Sequence, residues 1–577
     1  MSNVNKKSIL LFALLLSISI HILMLPTLPF LDQSKPDPFF HLVMTPAIYW
    51  FGLILATFAV VGMIFWKITV PFPLLLITIL LLSSYVNNIP KLFYFNPIYT
   101  DTYIFVGETL YTLRTGHIGW GHSSDTPGLD LLSSQICLVL GINETIAAEL
   151  ILFSLPLITT LLIFVLSKHF FGDRGALLAC LFSFSINWLG FAFNRQTLGV
   201  TLFILVFFAF LKTILNSKRS YLWGTATLLS YFALVLIHPI SSLLIIVTAL
   251  IIPFLPFLIT FIRRIHTLPY SQEERRLWKS IAIRAMFYFG IFSIIWALWN
   301  MYTYTNIDYA IRTLDESFRG LLGLPHVEQP GALISGYTSV YLPVVQLRFI
   351  EILFAIIIGV VLGIAILSIE SYRPRNAILF AWFGGSIWLI FFGFFGNWLQ
   401  LLLRPFLHAY IIASMLFAWF ILTHHKREMI IVKYAKSILL CTMLIFFAVT
   451  PLTMYSQAPF TYPPTIYFKE EEHVVTYGNG TIAVFESGSE YGYYRLLYNL
   501  NSTTLVSYEQ NYTEYKTVIT GHRGYAKDAF FVYTPSLTDL MNRLEDELAD
   551  PVHFSKVYDG DSWHRVYFNQ TFDSTNP

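Results

Sequence analysis

A polar stretch from Asn96 to Thr145 stands between two long apolar runs and concentrates ionisable and imidazole side chains. Ionisable groups near lipid are costly, so a cluster at the end of an apolar run indicates a functional site. Carboxylates placed there could accept protons, and a cation could hold an anionic group. The side chains are Asp101, Glu108, Arg114, His117, His122, Asp125 and Asp130.

Asp101 begins a helical pattern that also contains Glu108. The two residues stand seven positions apart, which is two helical turns, so both carboxylates share one face of the predicted helix. We expect the helix to end near Thr115 and Gly116, because glycine commonly ends helices. Two plainer interpretations stay open: Asp101 could cap the helix that it begins, and Glu108 could be a solvated loop residue.

A second short helix is predicted from Pro127 through Val139, capped by Thr126 or Asp125 and ended by Gly141. Between the two helices, His117 and His122 lie five residues apart in a glycine-rich turn. Their spacing could suggest a metal, but no third ligand stands at a convincing distance in the sequence. The sequence therefore predicts neither a metal nor another cofactor, and the two histidines remain candidate substrate-binding residues.

The composition places these helices in a membrane protein. Apolar residues make up 56% of the 577 residues, charged residues make up 12%, and the mean hydropathy is +0.63. Soluble domains contain about 25% charged residues. Cys137, Cys180 and Cys441 lie in or beside apolar runs without metal-ligand spacing or a disulfide pattern, so we expect small buried hydrophobic residues. No nucleic-acid-binding signature is present.

Thirteen apolar runs are long enough to predict transmembrane spans, since a span needs about 20 apolar residues. The predicted fold class is therefore a membrane all-α protein with about thirteen transmembrane helices and with interfacial helices in the large outside loop, residues 87–146. The multi-span domain covers residues 1–455. The predicted spans are 8–31, 46–66, 68–86, 147–168, 175–193, 197–215, 221–237, 240–262, 285–303, 343–369, 377–396, 405–423 and 438–455.

Charge and glycosylation motifs predict one orientation, with an uncleaved first span and a cytoplasmic N-terminus. This orientation puts twenty Lys and Arg residues in inside loops and eight in outside segments before residue 456, as the positive-inside rule requires. A basic cluster from Arg263 to Arg284 would keep its loop on the cytoplasmic side, as the positive-inside rule describes, and would contact anionic lipid. All five Asn-x-Ser/Thr sequons fall outside, at Asn143, Asn479, Asn501, Asn511 and Asn569.

Residues 456–577 differ in character and are predicted to form a small extracytoplasmic α/β or α+β domain. Short alternating apolar runs, HVVTY, TIAVF, TTLVSY and DAFFVYT, predict strands. The run KVYDGDSWHRVYF predicts a hairpin that turns at Asp559 and Gly560. The segment SLTDLMNRLEDELAD predicts an amphipathic helix starting at Ser536. About 120 residues can bury one modest core.

The order of motifs around the polar stretch resembles a known family. An Asp at a span exit is followed by a helix, then by RTGHI, a Pro-Gly-led helix, GI, and a span closed inside by FFGDRGALLA. This order is similar to the first outside loop of the GT-C glycosyltransferases, multi-span enzymes that use polyprenyl-phosphate-linked sugars. They include protein mannosyltransferases, aminoarabinose transferases and the catalytic subunit of oligosaccharyltransferase. The resemblance covers residues 90–240, together with the layout of many spans and an outside tail.

The resemblance also implies roles for individual residues. Asp101 matches the loop carboxylate that is catalytic or orients the substrate, and we expect it to act as the base. Glu108, on the same face of the predicted helix, is a second catalytic candidate. Arg404, in LLLRPFLHAY, matches the late-span arginine that holds the lipid phosphate. Arg195 and His238 stand at outer span ends and are lower-ranked binding candidates that could instead be structural. Arg404 could equally be a snorkelling interface residue.

The chain departs from the family pattern in two respects. Two more spans precede the loop than is usual, so Asp32 and Asp37 in an earlier outside loop compete with Asp101. The loop also lacks the Asp-x-Asp motif of oligosaccharyltransferases, and the chain lacks Glu-x-Asp and Trp-Trp-Asp-Tyr-Gly. These absences argue against the oligosaccharyltransferase branch and against a required divalent metal.

The resemblance thus implies a membrane glycosyltransferase that moves a sugar from a polyprenyl (dolichyl) phosphate carrier to an acceptor outside the membrane. Its expected partners are the lipid-linked sugar, a glycan, protein or lipid acceptor and the membrane lipid, without nucleic acid. A transporter or flippase is the main alternative, and it would place ionisable residues or broken helices near the middle of the spans. A non-catalytic assembly or anchoring protein is a third possibility.

Overall fold

The computed structural model describes most of the chain up to residue 455 and five short segments beyond it. The described residues are 3–24, 45–68, 70–87, 101–118, 125–185, 194–215, 220–265, 272–303, 315, 319, 322, 342–370, 374–395, 399–423, 430–455, 482–485, 503–505, 517–521, 554–560 and 564–569. Asp32, Asp37, His122 and the predicted helix from Ser536 lie outside them.

Fifteen α-helices are present in the described residues before residue 456. They are α1 (Asn3–Met24), α2 (Ala47–Phe65), α3 (Phe72–Asn87), α4 (Asp101–Thr115), α5 (Gly128–Leu140), α6 (Glu144–Ser183), α7 (Arg195–Leu215), α8 (Ser220–Ile237), α9 (Pro239–Ile251), α10 (Leu255–Ile265), α11 (Gln272–Thr303), α12 (Leu342–Glu370), α13 (Pro374–Phe395), α14 (Leu399–Leu422) and α15 (Ile430–Tyr455). A 3₁₀ turn, Ile252–Phe254, joins α9 to α10.

Eleven stretches of helix in the described residues are long and apolar enough to cross a membrane. The chain is therefore a multi-pass membrane protein with an all-α membrane domain. The number differs from the thirteen predicted spans for two reasons. Helix α3 has 16 residues and is shorter than a typical span. The predicted span 147–168 and the first part of the predicted span 175–193 both lie in α6, on either side of its break at Gly172, and are counted there as one stretch.

Helix α6 contains a break at Gly172, whose φ of 72° and ψ of −175° are not helical. Glycine tolerates this left-handed region because it has no Cβ. Forty residues in one straight helix would be about 60 Å long, twice the thickness of the hydrocarbon core, so the break lets the chain change direction. The second part ends at Ser183 instead of the predicted residue 193, and residues 186–193 lie outside the described part.

The predicted span 240–262 is confirmed by the apolar helical stretch Pro239–Ile262, which includes a 3₁₀ turn at Pro253, a residue that cannot donate to the helical ladder. Another boundary differs from the sequence-based prediction. Helix α14 starts at Leu399, so Arg404 lies inside a helix and not at its end. Cys137 and Cys180 are buried as expected, whereas the prediction was wrong for Cys441, which is exposed on α15.

A large apolar core joins the helices. Trp382 of α13 is fully buried against two rings of α7, with centroids 4.7 Å from Phe203 and 4.5 Å from Phe207. Phe203 also contacts the ring of His408 on α14 at 4.7 Å. Helix α7 therefore packs between α13 and α14 and connects the core to the residues at its own N-terminus.

A smaller apolar cluster attaches the two short helices of the polar stretch to the bundle. Val106 of α4 and Leu129 of α5 are fully buried in it. Burial of this apolar area holds α4 and α5 over the point where α7 begins and α8 ends. The buried members of the cluster are Val106, Leu129, Ala148, Ile151, Leu152, Leu155, Leu198 and Ile237.

In the described segments beyond residue 456, five strands form one mixed sheet in the order β2-β1-β3-β5-β4. The strands are β1 (Ile482–Phe485), β2 (Thr503–Leu505), β3 (Thr517–Gly521), β4 (Phe554–Gly560) and β5 (His564–Asn569). Strand β1 pairs in parallel with β2 and β3, and β5 pairs antiparallel with β3 and β4. The hairpin is present, but Asp559 and Gly560 belong to β4, paired with Arg565 and His564, so the predicted turn position was wrong.

Candidate functional site

Helix α4 begins at Asp101 and ends at Thr115, with Gly116 in the left-handed region at φ 71°, as the sequence predicted. Glu108 lies two turns after Asp101 and is only 6% exposed. The interpretation of Glu108 as a solvated loop residue is therefore wrong. The described residues place the backbone of Asp101 at the first position of α4, and the position of its side chain lies outside the description.

Helix α5 runs from Gly128 to Leu140 and ends on Gly141 at φ 64°. Its N-cap residue is Pro127, without a side-chain cap hydrogen bond, so the predicted capping by Thr126 or Asp125 was wrong. Asp130 lies in the first turn of α5, where the helix dipole favours a negative charge. Its side chain is 1% exposed.

Arg195, the first residue of α7, connects the two carboxylates. Its Nη2 lies 3.0 Å from Oε2 of Glu108 and 3.4 Å from Oδ2 of Asp130, and its side chain is 13% exposed. Its guanidinium also lies over the ring of Phe105, 4.8 Å from the centroid. Two helices of one loop are thereby joined to the start of α7 by a nearly buried three-residue charge cluster.

The position of Arg195 explains why it needs two carboxylates. The first turn of a helix carries a positive partial charge, so a guanidinium there is electrostatically disfavoured. Glu108 and Asp130 offset this cost, and Asn194 caps the helix by accepting from the backbone N–H of Thr197 at 2.9 Å. A buried ion pair is stable only when charges and hydrogen bonds are compensated, so the three charged residues act as one unit.

A second polar group forms beside the cluster, where α8 meets α9. Nδ1 of His238 accepts from the backbone N–H of Ser241 at 3.1 Å and so caps α9. Gly199 of α7 makes this packing possible, because a Cβ added there would lie 2.6 Å from Cβ of His238. His238 is 3% exposed, and Ser241 and His408 are fully buried.

Ser241 Oγ lies between two imidazole rings, 2.8 Å from Nδ1 of His238 and 3.0 Å from Nε2 of His408. Nδ1 of His408 lies 3.0 Å from the backbone oxygen of Arg404 and therefore donates to it. In the neutral ring, Nε2 of His408 is then an acceptor, so the Ser241 hydroxyl donates to one ring at a time. The chain of contacts joins α9 to the turn of α14 that carries Arg404.

His238 presents a buried donor. Because Nδ1 accepts a backbone N–H, the neutral ring carries its proton on Nε2, and that atom is buried without a hydrogen-bond partner among the described residues. Burial lowers the pKa of His238 well below its usual value, and Arg404, His408 and Arg195 lower the pKa further. The ring is thus neutral and lies within the electrostatic reach of both arginines.

The structure brings together Glu108, Arg195, His238 and Arg404 of the predicted site residues. It also adds three residues that the prediction did not assign: Asp130, Ser241 and His408. Asp130 belongs to the polar stretch, and His408 stands one helical turn after Arg404, so both residues could have been selected from the sequence. The contact between Ser241 and His408 could not be predicted, because the two residues are 167 positions apart.

His117 is exposed just after the end of α4, and its backbone N–H donates to Oγ1 of Thr115 at 3.1 Å. It does not contact the charge cluster through any described hydrogen bond. Within the described residues, no group of three or more His, Cys, Asp or Glu side chains could hold a metal ion. A binding role for His117 and His122 stays a prediction.

Comparison with solved structures finds sixteen similar chains, and the three described here are each 11% identical in sequence. The oligosaccharyltransferase of Archaeoglobus fulgidus, solved with zinc and sulfate, matches over 79% of this chain and 69% of its own at a TM-score of 0.48. ArnT from Cupriavidus metallidurans with bound undecaprenyl phosphate matches over 86% and 97% at a TM-score of 0.45. The same ArnT in the apo state matches over 82% and 94% at a TM-score of 0.42.

The oligosaccharyltransferase and ArnT are both GT-C glycosyltransferases, the family that the loop of this chain resembles. No protein-family model matches the chain, and no curated protein matches it.

Proposed function

We propose that the chain is a membrane glycosyltransferase that moves a sugar from a polyprenyl phosphate carrier to an acceptor on the extracytoplasmic face. One observation carries the proposal: the cluster of Glu108, Asp130 and Arg195 lies beside His238 and Arg404 at one end of the bundle. In this proposal the charge cluster holds α4, which begins at Asp101, at the same end of the bundle as His238 and Arg404, which bind the carrier.

In this proposal the acceptor hydroxyl attacks the anomeric carbon while a carboxylate accepts its proton. Asp101 is the proposed base, because it opens the helix whose later turn carries the buried Glu108. Glu108 already accepts from Arg195, so we assign it to positioning α4 and not to proton transfer. The carbon–oxygen bond to the carrier breaks, and the carrier leaves as its phosphate.

The departing phosphate gains negative charge, which must be stabilised by nearby cations and donors. Arg404 is the proposed phosphate ligand, assisted by Nε2–H of His238. Burial near two arginines keeps His238 neutral, and a neutral donor suits a phosphate oxygen. Arg195 contributes positive potential while its guanidinium stays with the two carboxylates.

The test is transfer by the purified chain from a dolichyl-phosphate-linked sugar, with Asp101→Asn as the decisive variant. The variant should lose transfer by 100-fold or more, on the order of the contribution of a general base, while keeping its membrane level. Asp173→Asn is the matched control, because Asp173 pairs with Lys168 in a half-exposed ion pair away from the charge cluster. Unchanged transfer by Asp101→Asn would show that Asp101 is not the base.

A transporter remains the second candidate, because two features lie within spans. Glu351 of α12 is fully buried, and both of its carboxyl oxygens lack a hydrogen-bond partner among the described residues. The stretch from α9 to α10 is interrupted by the 3₁₀ turn at Ile252–Phe254. Buried ionisable groups and broken helices are typical of transport pathways.

Flux through sealed vesicles separates the two candidates. The transporter predicts that a lipid-linked substrate crosses the bilayer without any transfer reaction and that Glu351→Gln abolishes the flux. The glycosyltransferase predicts no flux beyond that of empty vesicles and full transfer activity in the same variant. Flux that depends on Glu351, with no transfer by the wild type, would replace the first proposal.

The proposal also includes the finer architecture predicted from sequence. The N-terminus lies in the cytoplasm, the chain crosses the membrane thirteen times if both parts of α6 and the short α3 are counted, and the sheet of residues 482–569 belongs to a separate extracytoplasmic domain. Support comes from the excess of Lys and Arg in the inside loops and from the five sequons outside.

A further inference from the structure

A second cationic group lies at the other end of α7. Lys212 is in the last turn of α7, 17 residues after Arg195, so about 26 Å of helix separates them. That distance approaches the thickness of the hydrocarbon core, about 30 Å. The two groups therefore lie at opposite faces of the membrane, whichever orientation the chain adopts.

Three helices meet around Lys212. Its Nζ donates to Nδ1 of His169 on α6 at 3.3 Å, and Nη1 of Arg375 on α13 donates to the backbone oxygen of His169 at 3.2 Å. The ring of Phe208 lies 5.3 Å below the Lys212 ammonium. An ammonium and a guanidinium thus converge on one residue from two different helices.

These charges are not compensated within the described residues. Neither Lys212 nor Arg375 has an ion pair there. The carboxylate of the neighbouring turn, Asp173, pairs instead with Lys168 at 2.7 Å. Because partly buried charges are normally paired, two cations without an ion pair among the described residues are suited to bind an anion.

The donors present select the chemical class of that anion. Since Nδ1 of His169 accepts from Lys212, the neutral ring carries its proton on Nε2 and adds a third donor to the ammonium and guanidinium. Phosphate oxygens accept several such bonds at once, and guanidinium binds them in a paired geometry. Basic pockets between helices at a membrane face bind phospholipid head groups.

We propose that Lys212, Arg375 and His169 bind one phosphate group at the membrane face opposite the candidate active site. Its two sources would be the head group of an anionic phospholipid and free phosphate. The bound phosphate joins α6, just before its break at Gly172, to the last turn of α7 and the first turn of α13, and α7 then connects this site to Arg195. The inference does not depend on the proposed glycosyl transfer, because binding is measured without any sugar.

The experiment uses the full chain in lipid nanodiscs and counts bound lipids by native mass spectrometry. In mixed phosphatidylglycerol and phosphatidylcholine, the wild type should retain phosphatidylglycerol selectively. Lys212→Gln and Arg375→Gln should each weaken retention about fivefold, since one cation near the surface contributes about 1 kcal/mol. Lys433→Gln removes an exposed cation of α15, outside the basic cluster from Arg263 to Arg284, and should change nothing.

A parallel arm adds inorganic phosphate to nanodiscs of phosphatidylcholine alone. Thermal stabilisation there, lost in Lys212→Gln, would assign the site to free phosphate, whereas lipid retention alone would assign it to a head group. Lys212→Arg keeps the charge and should retain the ligand, which excludes a mere folding defect. If the Arg375→Gln variant does not fold, Lys212→Gln alone tests the proposal, because it leaves the hydrogen bond from Arg375 to His169 intact. The proposal is overturned if the wild type binds neither ligand, or if Lys212→Gln and Lys433→Gln bind equally.

Discussion

Oε2 of Glu108 lies 3.0 Å from Nη2 of Arg195, although the two residues are 87 positions apart in the chain. This ion pair connects the first short helix of the polar stretch to the start of α7. It converts a loop between spans into a fixed element of the bundle, because α4 cannot move without separating buried charges. The positions of Asp101 and Asp130 depend on the same contact.

The first prediction concerns the charge cluster and compares two Asp–Arg pairs. Asp130→Asn should lower the stability of the purified protein by about 3 kcal/mol, because it removes one carboxylate from a nearly buried arginine. Asp315→Asn removes the partner of Arg319 in an exposed i,i+4 pair, 2.8 Å long, and should cost at most about 1 kcal/mol. Thermal unfolding in detergent measures both. Equal losses would mean that Asp130 is not part of a buried unit.

The second prediction concerns the hydroxyl between the two imidazole rings. Ser241→Ala should lower stability by about 1–3 kcal/mol, because Nε2 of His408 loses its donor inside the core. In the transfer assay it should also raise the KM for the lipid-linked donor more than it lowers kcat, because Arg404 loses its support. Ser242→Ala is the control, since the Ser242 hydroxyl donates to the backbone oxygen of Pro239 within its own turn. A larger effect in the control would contradict this role.

The third prediction uses two helical glycines. Gly199→Ala should destabilise the protein by about 1–3 kcal/mol, because the added Cβ would overlap His238 and force its ring to move. Gly384→Ala, on α13, adds a Cβ that meets nothing within 4 Å and should leave the melting temperature unchanged or raise it. The measurement is the melting temperature of both variants. A neutral Gly199→Ala would show that His238 has space to shift.

The fourth prediction tests the orientation through Asn143. In a host that performs N-glycosylation, Asn143 should carry a glycan, since the sequon is exposed and predicted to lie outside. Thr145→Ala removes the sequon and keeps Asn143, whose Oδ1 caps α6 by accepting from Ile146 at 2.8 Å. The Thr145→Ala variant should migrate faster on a gel than the wild type, by the shift that corresponds to the loss of one glycan. Labelling of a Lys433→Cys variant by an impermeant reagent in intact cells would show that residue 433 lies outside and that the predicted orientation is wrong.

Local features of the polar stretch could be predicted from the sequence because they depend on neighbouring residues. The start of α4 at Asp101, its stop at Gly116 and the stop of α5 at Gly141 follow from helical periodicity and from the freedom of glycine at positive φ. Hydropathy identified the apolar segments for the same reason, since the lipid requires about 20 apolar residues for each crossing.

The cap of α5 was predicted wrongly because side-chain capping is only one way to satisfy a helix terminus. The N-cap position of α5 is held by Pro127, whose side chain has no hydrogen-bond acceptor, so neither Thr126 nor Asp125 occupies the position from which a side chain would cap the helix. The burial of Glu108 could not be predicted from the sequence either, since a charged side chain is normally expected to face solvent. Its partner Arg195 comes from another helix, and local sequence contains no information on that pairing.

The amino-acid sequence alone thus identified a membrane protein, its apolar helices and the stretch in which carboxylates gather, because hydropathy and helix stops are local properties. Packing decided which of those charges meet. Glu108 and Asp130 share Arg195, and Ser241 joins His238 to His408, because the apolar surfaces of α4, α5, α7, α9 and α14 bring distant segments together. Burial area selects such an arrangement over the whole chain, and no short window of sequence contains it.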